Sequence, residues 1–148
     1  MNVEKIIKTD KKIPIASRTI IHLSLVVTKI NEIMTTALKD HGVSLQQFNV
    51  LRILRGQQGK PANLSTLNER MVTKMSNTTR LVDKLILKGY VERIICPSNR
   101  RKVEINLTPS GERALSDMDS AMKEAEDKLL KNFSREDLSA LNILLDKF

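Results

Sequence analysis

Polar and basic side chains recur at helical spacing between residues 73 and 84. They are Thr73, Asn77, Arg80 and Lys84, at steps of four, three and four, with Ser76 and Thr79 beside them. Asn and Arg form paired hydrogen bonds with adenine and guanine edges in the major groove, whereas Ser, Thr and Lys more often bind phosphates. We therefore expect this set to contact double-stranded DNA. The plainer alternative is a solvated helix face, opposite a buried side made of Thr78, Leu81, Val82 and Leu85.

Two adjacent arginines, Arg100 and Arg101, lie between two predicted strands. The residues before them, Pro-Ser-Asn at 97–99, are typical of a tight turn. An arginine at such a tip can enter a narrow minor groove, where the negative potential is enhanced. Both arginines are therefore predicted DNA contacts. The nearby Arg93 and Lys102 are predicted to bind the DNA backbone or to form ion pairs within the protein.

The excess positive charge of the chain lies on the segment that contains these residues. From Ser44 to Arg113 there are 13 Lys or Arg and 5 Asp or Glu residues, a net charge of +8, while the rest of the chain carries 12 of each sign. A basic patch confined to one module is an electrostatic footprint for phosphate. Aromatic residues make up 3% of the chain and tryptophan is absent, which argues against RNA or single-stranded binding by base stacking.

The sequence gives little indication of enzymatic activity. There is no glycine-rich phosphate loop, no Ser/His/Asp or Cys/His set, and no carboxylate pair outside solvated helix faces. His22 and His41 lack acidic or cysteine partners at metal-ligand spacing. We therefore expect no catalytic residues, no cofactor and no metal.

A single cysteine, Cys96, excludes an internal disulfide and indicates a reducing compartment. The longest apolar stretch, over residues 20–27, is too short to span a bilayer, so we expect a cytoplasmic protein. Redox sensing at Cys96 would need a stabilised thiolate, which Arg93, Arg100 and Arg101 could provide. A structural or incidental cysteine is the simpler interpretation.

Cap and stop signals divide the chain into predicted elements. After a frayed or partly helical arm over residues 1–16, we expect helices over 18–41, 45–55, 64–71, 76–88, 109–132 and from 135 onward, with strands over 90–96 and 102–107. Gly42 and Gly89 end helices, and Ser44 with Gln47 forms a capping box. Asn63 and Ser134 are expected to cap the helices that follow them. Thr108 caps a helix that has Pro109 at its first position.

Apolar stripes mark the long helices at both ends of the chain. Apolar residues recur at spacings of 3, 4, 3, 4 and 3 from Ile20 to Ala37, and of 3, 4, 3 and 4 from Leu115 to Leu129. The first helix is apolar beyond what one face of a small monomer requires. We therefore predict dimerisation helices over 18–42 and 109–148 and a DNA-binding lobe over 44–108, with two lobes on opposite half-sites. The alternative is a bundle within one chain.

From Leu67 to Gly111 the sequence resembles the multiple-antibiotic-resistance regulator (MarR) family of winged helix-turn-helix transcription factors. The shared elements are LNERM at 67–71, TRLVDKL at 79–85, Gly89, VER at 91–93, NRR at 99–101 and LTPSG at 107–111. Two positions depart from the family pattern. Asn99 replaces a carboxylate that orients the second wing arginine, and Lys74 replaces a capping serine, so the helix cap is expected to shift to Thr73 or Ser76.

The resemblance implies a single, mainly α domain with a two-stranded β-wing between dimerisation helices. It implies a homodimer, in most relatives a repressor, that binds a pseudo-palindromic operator and is modulated by a small, often aromatic or phenolic effector. It assigns the minor-groove contact to Arg101, with Arg100 nearer the phosphates. We expect Arg101→Ala to weaken operator binding by about tenfold or more and to flatten its salt dependence in a gel-shift titration.

Two further hypotheses remain open beside this one. A winged helix can coat DNA without sequence choice or dock an acidic protein, and a cysteine-based sensor would respond to oxidation. Protection of a specific site in a footprint favours the regulator, whereas uniform coverage with a steep salt slope favours the architectural protein. Mild peroxide treatment that leaves operator binding unchanged would exclude the sensor.

Overall fold

The computed structural model describes residues 1–73, 77–95 and 103–148. Over these residues the helices are α1 (Val3–Ile6), α2 (Ile15–Ala37), α3 (Leu45–Arg55), α4 (Leu64–Arg70), α5 (Thr78–Leu87), α6 (Pro109–Leu130) and α7 (Arg135–Leu145). The strands β1 (Val91–Ile95) and β2 (Val103–Leu107) pair antiparallel, with Arg93 opposite Ile105. The predicted mainly α fold with a two-stranded sheet is confirmed. None of the helices in these ranges combines the length and apolar character needed to span a bilayer.

The amino-terminal elements differ somewhat from the prediction. Helix α2 begins at Ile15, three residues before the predicted start, and ends at Ala37 rather than near His41. A 3₁₀ turn over Lys39–His41 follows, and Gly42 then takes the predicted left-handed conformation at φ 61°. The expected partly helical arm contains α1, which Asn2 caps.

Helix α1 lies against α2, and an ion pair joins the two helices. Val3 is fully buried, and the Arg18 guanidinium donates to a Glu4 carboxylate oxygen at 2.7 Å. This hydrogen bond holds the pKa of Glu4 below its ordinary value. The arm is therefore attached to the long helix rather than frayed along its whole length.

The apolar core lies where α3, α5 and β2 meet α2 and α6. Its fully buried side chains include Leu38, Phe48, Leu51, Leu67, Val82, Leu85, Ile105, Leu115 and Met118. The stripe predicted on α6 faces this core, because Leu115, Met118, Met122 and Ala125 are all buried. Arg55 on α3 also forms an ion pair with Asp119 on α6, and this hydrogen bond raises the pKa of Arg55. Through these contacts α6 supports the segment between α3 and β2.

Glycine is required at the start of α6 by a close approach of two backbones. The Thr108 hydroxyl accepts from the Gly111 N–H at 3.0 Å and donates to the Gly89 carbonyl oxygen at 2.7 Å. A Cβ atom at Gly111 would lie 2.0 Å from the Tyr90 carbonyl oxygen. The Leu-Thr-x-x-Gly motif is thus the contact that joins the end of α5 to the start of α6.

Helix α7 contributes nothing to this core. Ser134 and Asp137 form a capping box at its start, in which the Ser134 N–H donates to the Asp137 carboxylate at 2.9 Å. None of the residues of α7, all of which are described, is buried. Its apolar side chains, among them Leu141, Ile143 and Leu144, lie on the surface.

Candidate nucleic-acid interface

Helices α4 and α5 form the helix pair of the winged helix. Asn63 caps α4 as predicted, because its side-chain oxygen accepts from the Thr66 N–H at 2.8 Å. Helix α5 ends where Gly89 takes a left-handed conformation at φ 71°. Leu67 of α4 and Val82 and Leu85 of α5 are fully buried. The apolar sides of both helices therefore face inward, and most of their polar side chains lie at the surface.

The outward side of α5 carries three of the predicted DNA contacts. Thr79, Arg80 and Lys84 are exposed, whereas Thr78, Val82 and Leu85 are buried. This division follows the helical period of 3.6 residues, which separates positions 80 and 84 from positions 78, 82 and 85. The predicted sides are confirmed for Thr78, Thr79, Arg80, Val82, Lys84 and Leu85, whereas Leu81 is only partly buried. Cationic and hydroxyl groups thus share one accessible surface.

The start of α5 corrects the sequence interpretation at two positions. Thr73 and Asn77 were expected on the same helix line as Arg80, but α5 begins at Thr78. Thr73 lies in a bend, exposed, and Asn77 is the residue that precedes the helix, at φ −125° and ψ 33°. The cap position is therefore Asn77 rather than Thr73 or Ser76. Spacing alone could not locate this boundary, because polar residues occur on both sides of it.

The side chain of Asn77 is also differently placed than expected. Its Oδ1 atom is buried and has no hydrogen-bond partner among the described residues, and it makes no side-chain cap bond to α5. A paired contact with adenine needs both the amide oxygen and the nitrogen at the surface. Asn77 must therefore rotate its amide before it can contact a base edge.

An ion pair connects α5 to the wing. Arg93 on β1 donates to the Asp83 carboxylate on α5 at 2.8 Å. Of the two roles predicted for Arg93, the structure shows the intramolecular ion pair. Sequence reasoning had not selected Asp83, although it lies ten residues before Arg93 on the adjoining element. The side chains are 33% and 49% exposed, so the pair orients the two elements more than it stabilises them.

Several predicted contacts fall outside the described residues. Ser76, Arg100 and Arg101 are predicted DNA contacts of this kind, and Lys74, Cys96, Asn99 and Lys102 also lie there. The two strands that lead to this segment are described. Ile105 of β2 is fully buried and forms a bridge to Ala62, with backbone N–H to O distances of 2.7 and 3.1 Å. The wing is thereby fixed to the linker between α3 and α4.

Comparisons with known proteins agree with this geometry. The model of the MarR family matches residues 43–103. An uncharacterised HTH-type transcriptional regulator of Bacillus subtilis, YdgG, is 34% identical over 113 residues, which cover 72% of each chain. The crystal structure of a MarR-like transcription regulator from Bacillus cereus superposes with a TM-score of 0.80 at 23% identity, covering 90% of this chain and 96% of that one.

The description of a second similar structure names a small molecule. BpsR of Bordetella bronchiseptica, whose DNA binding is described as regulated by 6-hydroxynicotinic acid, has a TM-score of 0.73 at 21% identity. The match covers 84% of this chain and 93% of that one. At this identity the likeness concerns the fold.

The fold and the exposed basic side of α5 define a winged helix-turn-helix protein that binds DNA. The chain belongs to the MarR family of transcription regulators, as the resemblance from Leu67 to Gly111 had indicated. It is accordingly a DNA-binding regulator and not an enzyme.

Proposed function

We propose that the protein is a cytoplasmic homodimer that binds a pseudo-palindromic operator and represses the genes beside it. The observation that carries this proposal is the unequal distribution of charge and apolar surface. The net charge of +8 lies between Ser44 and Arg113, and exposed apolar side chains are concentrated on the terminal helices. A protein with one basic surface and one apolar surface is suited to bind DNA with the first and a second copy with the second.

The major-groove contacts in this proposal come from α5 and the residues before it. Arg80 contacts base edges, as does Asn77 after rotation of its amide, while Thr73, Ser76, Thr79 and Lys84 fix phosphates and set the register. The exposure of Thr79, Arg80 and Lys84 supports this assignment. Arg101 enters the minor groove and Arg100 binds the adjacent backbone, a proposal that rests on the resemblance and on the position of the two strands.

The dimer interface in this proposal is formed by α1, α2, α6 and α7. Exposed fractions of 81% for Ile15, 55% for Val27, 64% for Ile143 and 86% for Phe148 support it. An isolated eleven-residue helix is only marginally stable in water, so α7 depends on packing of its apolar side for stability. A second copy would cover these side chains and place two lobes on successive turns of the duplex.

We further propose that a small molecule modulates the spacing of the two lobes. A groove of about 430 Å³ lies between α2 and α6, with Ile33, Ala37 and Ala125 in its apolar lining. Its rim carries Glu32, Asp40 and Glu124 against Lys128. Three carboxylates and one ammonium group disfavour an anionic acid such as the one named for BpsR. The effector expected here is a neutral phenolic or cationic aromatic molecule, which must prefer one lobe spacing to act.

Selection of duplexes from a random pool by the purified protein tests the proposal. We expect a two-fold symmetric sequence, protected in a footprint, and a protein mass twice that of the chain in sedimentation. Uniform coverage of any duplex with a steep salt dependence would instead support an architectural DNA-binding protein. A monomer without duplex preference would contradict the proposed function.

The effector proposal has its own experiment. Neutral phenols, aromatic amines and aromatic acids are added to the complex of the protein with its selected duplex, and release is followed by fluorescence anisotropy. Release by the neutral or cationic compounds and not by the acids is expected. Glu124→Gln together with Asp40→Asn should shift the preference among the compounds toward the acids. An unchanged preference would contradict effector binding in this groove.

A further inference from the structure

A buried hydrogen bond joins the two helices of the helix-turn-helix. Thr78, the first residue of α5, is 3% exposed, and its hydroxyl donates to the side-chain oxygen of Asn68 on α4. In the described ranges Thr78 and Gln47 are the two buried polar residues. The buried side chain of Gln47 takes part in the capping box of α3. The hydroxyl of Thr78 does not cap α5, because Asn77 occupies the cap position of that helix.

This hydrogen bond lies at the start of α5, where it can orient the outward side of the helix. Residue 80 follows residue 78 by about 200° around the helix axis, so Arg80 projects away from α4 while Thr78 points toward it. Further along the helix, Val82 and Leu85 are held by the apolar core and Asp83 by Arg93. The first turn of α5, which carries Thr79 and Arg80, has its directional contact at Thr78.

A hydrogen bond constrains this turn in a way that an apolar contact would not. Apolar side chains tolerate sliding and rotation, whereas a hydrogen bond weakens steeply when its angle departs from linearity. A buried hydroxyl without a partner is also costly, so α5 is held where the Asn68 oxygen remains within reach. Binding groups must be held within about 0.5 Å of their productive geometry to discriminate between ligands.

We propose that the Thr78–Asn68 hydrogen bond is a positioning contact that sets the angle of α5 and so its discrimination between base sequences. This inference rests on the proposed contact of α5 with base edges. Neither residue touches DNA in this account. Phosphate contacts tolerate a small rotation of α5 better than base contacts do, so the bond acts mainly on the preference for the operator.

The test compares Thr78→Val, which keeps the shape and removes the hydroxyl, with Thr78→Ser, which keeps the hydroxyl. Equilibrium dissociation constants are measured for the selected operator and for a scrambled duplex of equal length at one salt concentration. For Thr78→Val we expect operator affinity to fall by about tenfold, the effect of about one buried hydrogen bond. Affinity for the scrambled duplex should change by less than about twofold, and Thr78→Ser should stay close to the wild type.

The ratio of the two affinities separates positioning from stability. A loss of folded protein lowers both affinities equally and leaves their ratio unchanged, so an unchanged ratio in folded Thr78→Val would overturn the inference. If Thr78→Val does not fold, Asn68→Ala is measured in the same way, with the same two outcomes. A wild-type protein that binds both duplexes equally would contradict the proposed function itself, a result that differs from a failure of this inference.

Discussion

The winged lobe and the terminal helices of this chain expose different kinds of surface to solvent. The lobe buries a compact apolar core, for example Phe48, Val82 and Ile105, and presents cations to solvent, although Val72 and Leu87 are exposed. The terminal helices balance their charges but leave Ile15, Val27 and Leu144 at least half exposed. Repulsion between like charges and exposure of apolar area are both unfavourable in an isolated chain. Each is relieved by a partner, which is DNA for the lobe and, as proposed, a second copy for the terminal helices.

The largest effect is expected from charges placed on the apolar side of α7. Leu141→Glu with Leu144→Glu adds two carboxylates one helical turn apart on exposed apolar positions. Because each lobe would then bind its half-site alone, operator affinity should fall by about 100-fold or more. Sedimentation gives the oligomeric state and gel-shift titration gives the affinity.

A matched pair on the other side of α7 controls for the added charge. Ser139→Glu with Asn142→Glu has the same spacing on exposed polar residues. We expect this variant to remain dimeric and to bind DNA. Dissociation of both variants, or of neither, would count against an interface on the apolar side of α7.

The second prediction distinguishes base contacts from phosphate contacts within the lobe. Arg80→Ala should weaken operator binding by about 1–3 kcal/mol and reduce the preference over a scrambled duplex, because a paired contact with a base is lost. Lys84→Ala is the matched control from the same exposed side. It should weaken both complexes equally and lower the salt slope by about one. If Arg80→Ala lost the same affinity for both duplexes, Arg80 would bind phosphate and not a base.

The third prediction concerns the contact between the two regions. In Gly111→Ala the new methyl group meets the Tyr90 carbonyl oxygen and the Leu107 side chain. Displacement of the backbone should lower the free energy of unfolding by about 1–3 kcal/mol. Thermal unfolding measures this loss. Ser110→Ala, at the exposed neighbouring position, should leave the melting temperature nearly unchanged, and equal effects of the two substitutions would contradict the close approach.

The smallest effect is expected at the cap of α7. Hydrogen bonds from the Ser134 N–H and hydroxyl hold the pKa of Asp137 below its ordinary value of about 3.8. A lowered pKa in the folded state means that the stabilisation is present above the unfolded pKa and is lost as pH falls through the folded one. The wild-type protein should therefore lose helix content between roughly pH 6 and pH 3, and Asp137→Asn should lose less over the same range.

A neighbouring acid provides the control for that measurement. Glu136→Gln removes a carboxylate from the same helix turn without touching the capping box. Circular dichroism of the two variants over the same pH range should show a larger change for Asp137→Asn. Identical curves would mean that the carboxylate of Asp137 contributes through its charge near the helix start alone.

Local chemistry made much of this fold predictable from the sequence. Ser44, Asn63, Thr108 and Ser134 each cap the helix that was expected after them, and Gly42 and Gly89 both take left-handed conformations. Such signals act within four residues, so no distant contact is needed to recognise them. The family also followed from local motifs, because the gapless match from Leu67 to Gly111 contains the contacts that join α5, the strands and α6.

Tertiary contacts decided what these local signals left open. Helix α5 begins at Thr78, whose hydroxyl donates to Asn68 on α4, and Asp83 pairs with Arg93 on β1. These two contacts link separate elements. Likewise the similar apolar stripes of the terminal helices have different surroundings, since that of α6 is buried and that of α7 is exposed. Periodicity identifies an apolar side of a helix but not what covers it. The sequence thus determined the elements and the class of protein, and the packing of those elements determined where α5 begins and which apolar side chains stay exposed.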